Sequence, residues 1–541
     1  MSSSNIKNTT KYFLFFIIII LLNACSSTGT SSITNSNIEI PNSPYTEIVV
    51  LPEYNASNPE HFKIETQADW EHINDSDKRV FFVSPNNYMD MGKIILNSSG
   101  TEQKRRYIIL DNGNNLHPVQ LEEEALAFYM LEMHDANYWV VDRQAMKPVA
   151  ETLTELAVGE TPYMYDDTFA HLLLRNELYA SSHNIFDRCY MRDMANNYGI
   201  YENSNDNVIQ NGKIFKTQWS VDNQNFGDLA AIGMLIEHED AQLINTHILN
   251  MEIVNMVDAI QTIRIEDEEH TMLDLDYQGT IIDNNLLYIT NILYTKGDGI
   301  SDPDGDRAYA ENAIDLKGGS KNPDNPILIT HNKMWGYRFV DNAYSALSDA
   351  GNTMVLHYDV PSVIIKENLI FDSNIGIHSG GVWDVPAISN VTITNNIFHS
   401  MIENSIIIEG IMEEENYLAS DNVSIDHNLF INNGYFSDVQ VYNAKNVTVE
   451  ENIFYEENET DTTALYVGNE SGGDSGEVRV SDNLSFVNNT LYGVSLGNQP
   501  SWLILSGNTI SDDSPDLSDY DFSYLVDRFA EKTSVLWLET K

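Results

Sequence analysis

The phrase VTITNNIF (391–398) returns as VSIDHNLF (423–430) and VTVEENIF (447–454), with looser copies ILITHNKM (327–334), VIIKENLI (363–370), VRVSDNLS (478–485) and LILSGNTI (503–510). In each copy aliphatic residues alternate with polar ones, which marks a strand with one buried face. An Asn then stands where the chain must bend before a second apolar stretch. These asparagines, Asn332, Asn368, Asn396, Asn428, Asn452, Asn483 and Asn508, recur at intervals of 24 to 36 residues. A unit of strands and turns that size cannot bury its own apolar face, so neighbours must stack. Asn suits the bend because its short amide tolerates left-handed backbone geometry, and stacked amides can bond from coil to coil. The expected fold is all-β, a right-handed parallel β-helix: a single-stranded solenoid with end caps. The Leu-x-x-Leu-x-Leu phrase of leucine-rich repeats is absent.

The first residues set the compartment. Lys7 and Lys11 form a weakly basic head before the apolar run YFLFFIIIILL (12–22), which is too short to span a bilayer and has the length of a signal segment. LNAC (22–25) closes it and resembles the lipobox of bacterial lipoproteins. That resemblance implies cleavage before Cys25, lipid on its sulfur, and a place in the bacterial cell envelope, at the outer membrane. The domain plan is therefore a lipoprotein signal peptide over 1–24, a flexible tether over 25–44, the β-helix over 45–515 and a C-terminal cap over 516–541. Within the cap, residues 524–530 have the amphipathic pattern needed to cover an open end. Cys189 is the only other cysteine, so with Cys25 lipidated no internal disulfide forms and Cys189 reads as a buried small apolar residue.

Lys and Arg total 29 against 81 Asp and Glu, a net charge of −52. Such a surface repels nucleic acid, which removes DNA and RNA as partners. It also means that an anionic polymer is drawn only to a local cationic or metal-loaded patch. A monomer is expected.

The rhythm breaks once. From Asn285 to Asn332 is 47 residues, and the surplus includes KGDGISDPDGDRAYAENAIDLKGGS (296–320). Insertions in one coil emerge on one face, where solenoids commonly bind. Asp298, Asp302, Asp304 and Asp306, interleaved with glycines, are the oxygen-rich loop type that calcium uses, although the loop lacks the twelfth-position Glu of an EF-hand. Calcium is accordingly the expected cofactor, with Asp315 as a further ligand. In AIDLKGGS (313–320), strand alternation sends Ile314 and Leu316 inward and puts Asp315 and Lys317 on the outer face. WGYR (335–338) and VLHYD (355–359) fall on the next coil, and His378 on another.

Three phrases in this order, AIDLKGGS (313–320), ITHNKMWGYR (329–338) and MVLHYDVPSVIIKENLIFD (354–372), resemble the β-helix polysaccharide lyases of the group containing chondroitinase B and alginate lyases. The resemblance implies a catalytic lysine at Lys317, a histidine at His357, calcium, and a uronate polysaccharide as substrate. Leu356 stands where that group carries an arginine, so the positive charge has to come from elsewhere, with Arg338 the candidate. Elimination then needs three roles. Arg338 or a cation neutralises the uronate carboxylate, Lys317 takes the adjacent proton, and Tyr337 or His357 protonates the leaving oxygen. Two other classes remain open: a non-catalytic glycan-binding or structural solenoid, and a glycoside hydrolase using carboxylates of the 298–315 stretch. The Asn-Thr-Asp and Gly-His-Gly phrases of polygalacturonases are absent.

Overall fold

The computed structural model describes residues 43–83, 93–110, 130–146, 176–192, 197–215, 230–238, 241–256, 258–264, 275–289, 311–337, 351–357, 359–380, 388–413, 416–434, 437–457, 462–468, 481–511 and 513–517. Their strands form three long sheets of fifteen, twelve and twelve members, in which all pairings are parallel. A small antiparallel hairpin, Ile411–Glu413 with Asn416–Leu418, stands apart from them. One coil shows the path: Val360–Lys366 in the first sheet, Leu369–Phe371 in the second, Ile375–Gly380 in the third, then Ile388–Thr394 back in the first. Repeated crossovers of that kind take the right hand. The chain is the expected parallel β-helix.

Period-two alternation drives the stacking. Val363 pairs with Val391 and Val391 with Val423, while Ile365, Ile393 and Ile425 form the next inward row. All are at most 2% exposed. Phe398, Phe430 and Phe454 continue the core on the second sheet as parallel rings, with centroids 5.1 and 4.6 Å apart. Each fully buried ring contributes about 1.5–3 kcal/mol of transfer free energy, and the stack adds to it.

At the bend between the first and second sheets runs a buried amide ladder. Asn332 Nδ2 donates to Asn368 Oδ1 at 3.1 Å, Asn368 to Asn396 at 2.9 Å, Asn396 to Asn428 at 3.0 Å and Asn428 to Asn452 at 3.1 Å. Each oxygen also accepts the preceding asparagine's backbone N–H, as Asn396 Oδ1 does from Asn368 at 3.0 Å. The ladder corrects two details of the sequence pattern. The left-handed residue is the one before each ladder asparagine: Glu367, Asn395, His427 and Glu451 have φ of 54–57°. Asn483 is not a rung either. Asn452 bonds instead to Asn489, and Asn489 to Asn508, whereas Asn483 lies exposed at a different bend and donates to Asn446 Oδ1 at 2.6 Å.

The solenoid starts well before the clear repeats, with strands at His61–Ile64, Val80–Val83, Lys93–Leu96, Arg106–Leu110 and Met130–His134. Before entering it the chain lies along the first sheet. Ser43 N–H reaches Asn250 Oδ1 at 2.9 Å, and Glu47 exchanges two 2.9 Å bonds with the Gln210 amide. Cys189 is a core residue, 2% exposed, and burial pushes its thiol up, so it is inert packing. Cys25, and residues 524–530 of the expected cap, lie outside the described residues.

Candidate functional site

The outer face of the third sheet carries the chemistry. Its strand Asn312–Leu316 alternates as expected: Ile314 and Leu316 are fully buried in the core, which turns Asp315 outward. Register then lines Gln261, Asp315, Val355 and His378 along successive coils about 4.8 Å apart. Two residues farther along each coil lies a second row. Leu316 pairs with Leu356, so the backbone positions that follow, Lys317 and His357, adjoin, and His357 pairs in turn with Gly380.

Lys317 Nζ is 3.2 Å from Asp315 Oδ2, with the two side chains 14% and 4% exposed. The pair is held from beneath and beside. Gln261 Nε2 donates to Asp315 Oδ2 at 2.9 Å, and Lys317 N–H donates to Thr262 Oγ1 at 2.7 Å. The two glycines after Lys317 are required by packing. A Cβ on Gly318 would stand 2.9 Å from the Tyr277 ring, and one on Gly319 would fall 2.1 Å from the Pro361 carbonyl oxygen. Tyr277 itself is fully buried, donates its hydroxyl to Ile263 O at 2.9 Å, and is kept protonated by burial. An ion pair this sheltered is screened far less than a surface pair and has a fixed geometry.

Other expected site residues are placed differently. Tyr337 is a correction: it is 0% exposed and belongs to the main core, so its hydroxyl has no surface from which to reach a leaving oxygen. The pattern misled because Gly336, at φ 86°, turns the chain between the two residues, so strand alternation does not carry across from Trp335. Arg338 and the acidic loop Asp298, Asp302, Asp304 and Asp306 lie outside the described residues, as does the side chain of His357. Among the described residues no three His, Cys, Asp or Glu side chains are disposed to hold a metal ion. Asp315 Oδ2 faces both the Lys317 ammonium and the Gln261 amide.

One pair escaped the sequence pattern. Glu409 ends the strand Asn404–Glu409, and its Oε2 lies 3.5 Å from His378 Nε2 on the preceding coil. Counting alternation onward from buried Ile406 and Ile408 would have placed Glu409 outward. Farther along the same face, Tyr442 donates its hydroxyl to Gln440 Oε1 at 3.0 Å and packs edge-on against Tyr466. The face thus offers one recessed cation, hydrogen-bonding amides and aromatic rings in rows, a surface suited to an extended polyhydroxylated chain.

No protein-family model matches this chain, and no curated protein matches it by sequence. Solved structures similar to it include an alginate lyase from Paenibacillus sp., at 15% identity over 62% of this chain and 95% of that one, with a TM-score of 0.38. A family 6 polysaccharide lyase from Pseudopedobacter saltans is similar at 13% identity, covering 85% of this chain and 94% of that one, with a TM-score of 0.44. A surface adhesin of Streptococcus pneumoniae is similar at 11% identity, covering 77% and 95%, with a TM-score of 0.40. One fold hosts many unrelated activities, so function has to be argued from the site.

Proposed function

We propose that this chain is a polysaccharide-active β-helix protein, a lyase that cleaves a uronate-containing polymer by β-elimination on the outer face of its third sheet. The observation that carries the proposal is the recessed Lys317–Asp315 pair, a local cation on a strongly acidic molecule. The pair is neutral as a whole, so a uronate carboxylate entering there meets an ammonium donor in place of the repulsion that the rest of the acidic surface offers. The polymer lies across the coils, along the rows of the sheet.

The chemistry follows from what elimination requires. To act as a base Lys317 must first give up a proton to solvent, a step that the Asp315 carboxylate, 3.2 Å away, opposes by favouring the ammonium and that the positive charge of Arg338 assists. Neutral Lys317 then takes the proton from the carbon beside the carboxylate. Gln261 and Thr262 hold the pair in register while this happens, so little reorganisation is needed. The departing oxygen needs a proton, and His357, next in the row of Lys317, is the candidate that sequence order supplies. Arg338 remains proposed as the charge that neutralises the carboxylate. Calcium remains proposed on the strength of Asp298, Asp302, Asp304 and Asp306 alone, and no step above runs through it. Attachment at Cys25 to the outer membrane, as a monomer, belongs to the same proposal. Replacing Cys25 by Ala should move the protein from the membrane to the soluble fraction.

The test is to incubate the purified chain with alginate, pectate and glycosaminoglycans, with calcium or with a chelator. Unsaturated uronate ends support the lyase. Reducing ends without unsaturation indicate a hydrolase, and binding without cleavage indicates a glycan-binding solenoid.

A further inference from the structure

Among the described residues, His72, His134, His183, His238, His331 and His427 lie near carboxylates with 39–73% of their side chains exposed, as solvated surface pairs do. His378 differs. Its side chain is 13% exposed, it stands on the same outer face as Asp315, and its partner Glu409 is fixed along its backbone. Glu409 N–H donates to Ser379 Oγ at 3.0 Å, and Glu409 O accepts from Ser420 Oγ at 2.7 Å. With Nε2 3.5 Å from Glu409 Oε2, Nδ1 is the ring nitrogen that this carboxylate does not engage. Burial pushes the nearby Glu403 carboxyl up, and the charge of His378 opposes that rise.

Register places His378 two coils from Asp315, about 10 Å along the sheet. A uronate seated between the two coils would present the C–H beside its carboxylate to Lys317 and the adjacent C–O bond to His378. Of the two proton donors that sequence order suggested, Tyr337 is buried in the core.

We propose that His378, positioned by Glu409, is the catalytic acid that protonates the leaving oxygen, an assignment that rests on the lyase proposal above. Lys317 Nζ removes the proton beside the carboxylate and the C–H electron pair becomes the carbon–carbon double bond. The C–O bond to the leaving sugar breaks with its pair on oxygen, and oxygen takes the proton from His378 Nδ1. Solvent reprotonates the imidazole and relieves Lys317 of its proton. No oxidant or further reactant enters.

The test compares wild type, His378→Asn and Glu409→Gln on whichever of alginate, pectate or chondroitin sulfate yields unsaturated product, with thermal melts as the check on folding. His378→Asn should lower kcat roughly 10²-fold or more with KM little changed, and should remove the alkaline limb of the pH–rate profile, where a general acid loses its proton. Glu409→Gln should shift that limb and keep part of the rate. A synthetic uronate with a phenolate leaving group should restore the rate of His378→Asn, because that oxygen departs without a proton, and should not restore Lys317→Ala. If wild type forms no unsaturated product from any polymer, the lyase proposal fails and this assignment with it. If wild type is active and His378→Asn stays within about twofold of it, or is equally impaired on the activated substrate, only the His378 assignment is overturned.

Discussion

Lys317 Nζ and Asp315 Oδ2 stand 3.2 Å apart on a face where the inward neighbours Ile314 and Leu316 are fully buried, so two core residues fix the spacing of a surface pair. Asp315→Asn keeps the shape and removes the charge that favours the Lys317 ammonium. It should move the acidic limb of the pH–rate profile for kcat to lower pH, and lower the melting temperature because a nearly buried ammonium loses its counter-charge. Steady-state kinetics on the active polymer and a thermal melt check this.

The amide ladder bears on stability. Asn396→Ala removes the acceptor of Asn368 N–H and the donor to Ile365 O, leaving buried backbone groups without partners at about 1–3 kcal/mol each. Asn483→Gly, at an exposed left-handed position outside the ladder, should change stability by no more than about 0.5 kcal/mol. Denaturant titrations of both variants separate a rung from a bend.

Phe430 is sandwiched between Phe398 and Phe454 and has no exposed surface. Phe430→Ala opens a cavity in the middle of the stack and should cost about 3–5 kcal/mol in a denaturation midpoint.

Stability should also depend on pH through two buried carboxyls in the C-terminal coils. Burial pushes Asp438 from 3.8 up to about 7, against hydrogen bonds from Asn433 and Ser405, and pushes Glu456 from 4.5 up to about 8, with Asp438 adding to the effect. Both folded values exceed the unfolded ones. The contribution is therefore complete below about pH 4 and is lost as pH rises through 7 to 8. The melting temperature should fall across that window, and Asp438→Asn should flatten the fall.

The solenoid was legible because stacking repeats one physical demand, an inward aliphatic pair and a buried Asn, at every coil. Asn483 shows where the pattern gives out. Its local phrase matches the others, but which Asn enters the ladder is decided by the neighbouring coil, and Asn489 is the one that meets Asn452. The site was legible in part for the same reason. Lys317 directly follows the strand that carries Asp315, so alternation carried one residue past its end places both, whereas His378 and Glu409 sit on different coils and are brought together by register. Tyr337 follows a left-handed glycine, where no period carries across.

The most direct test of the lyase proposal is the ultraviolet absorbance of unsaturated uronate ends, followed over time with wild type and Lys317→Ala on alginate, pectate and glycosaminoglycans. Wild type should raise the absorbance with one of these polymers, and Lys317→Ala, with an unchanged melt, should not. Turnover by Lys317→Ala at the wild-type rate would contradict the account.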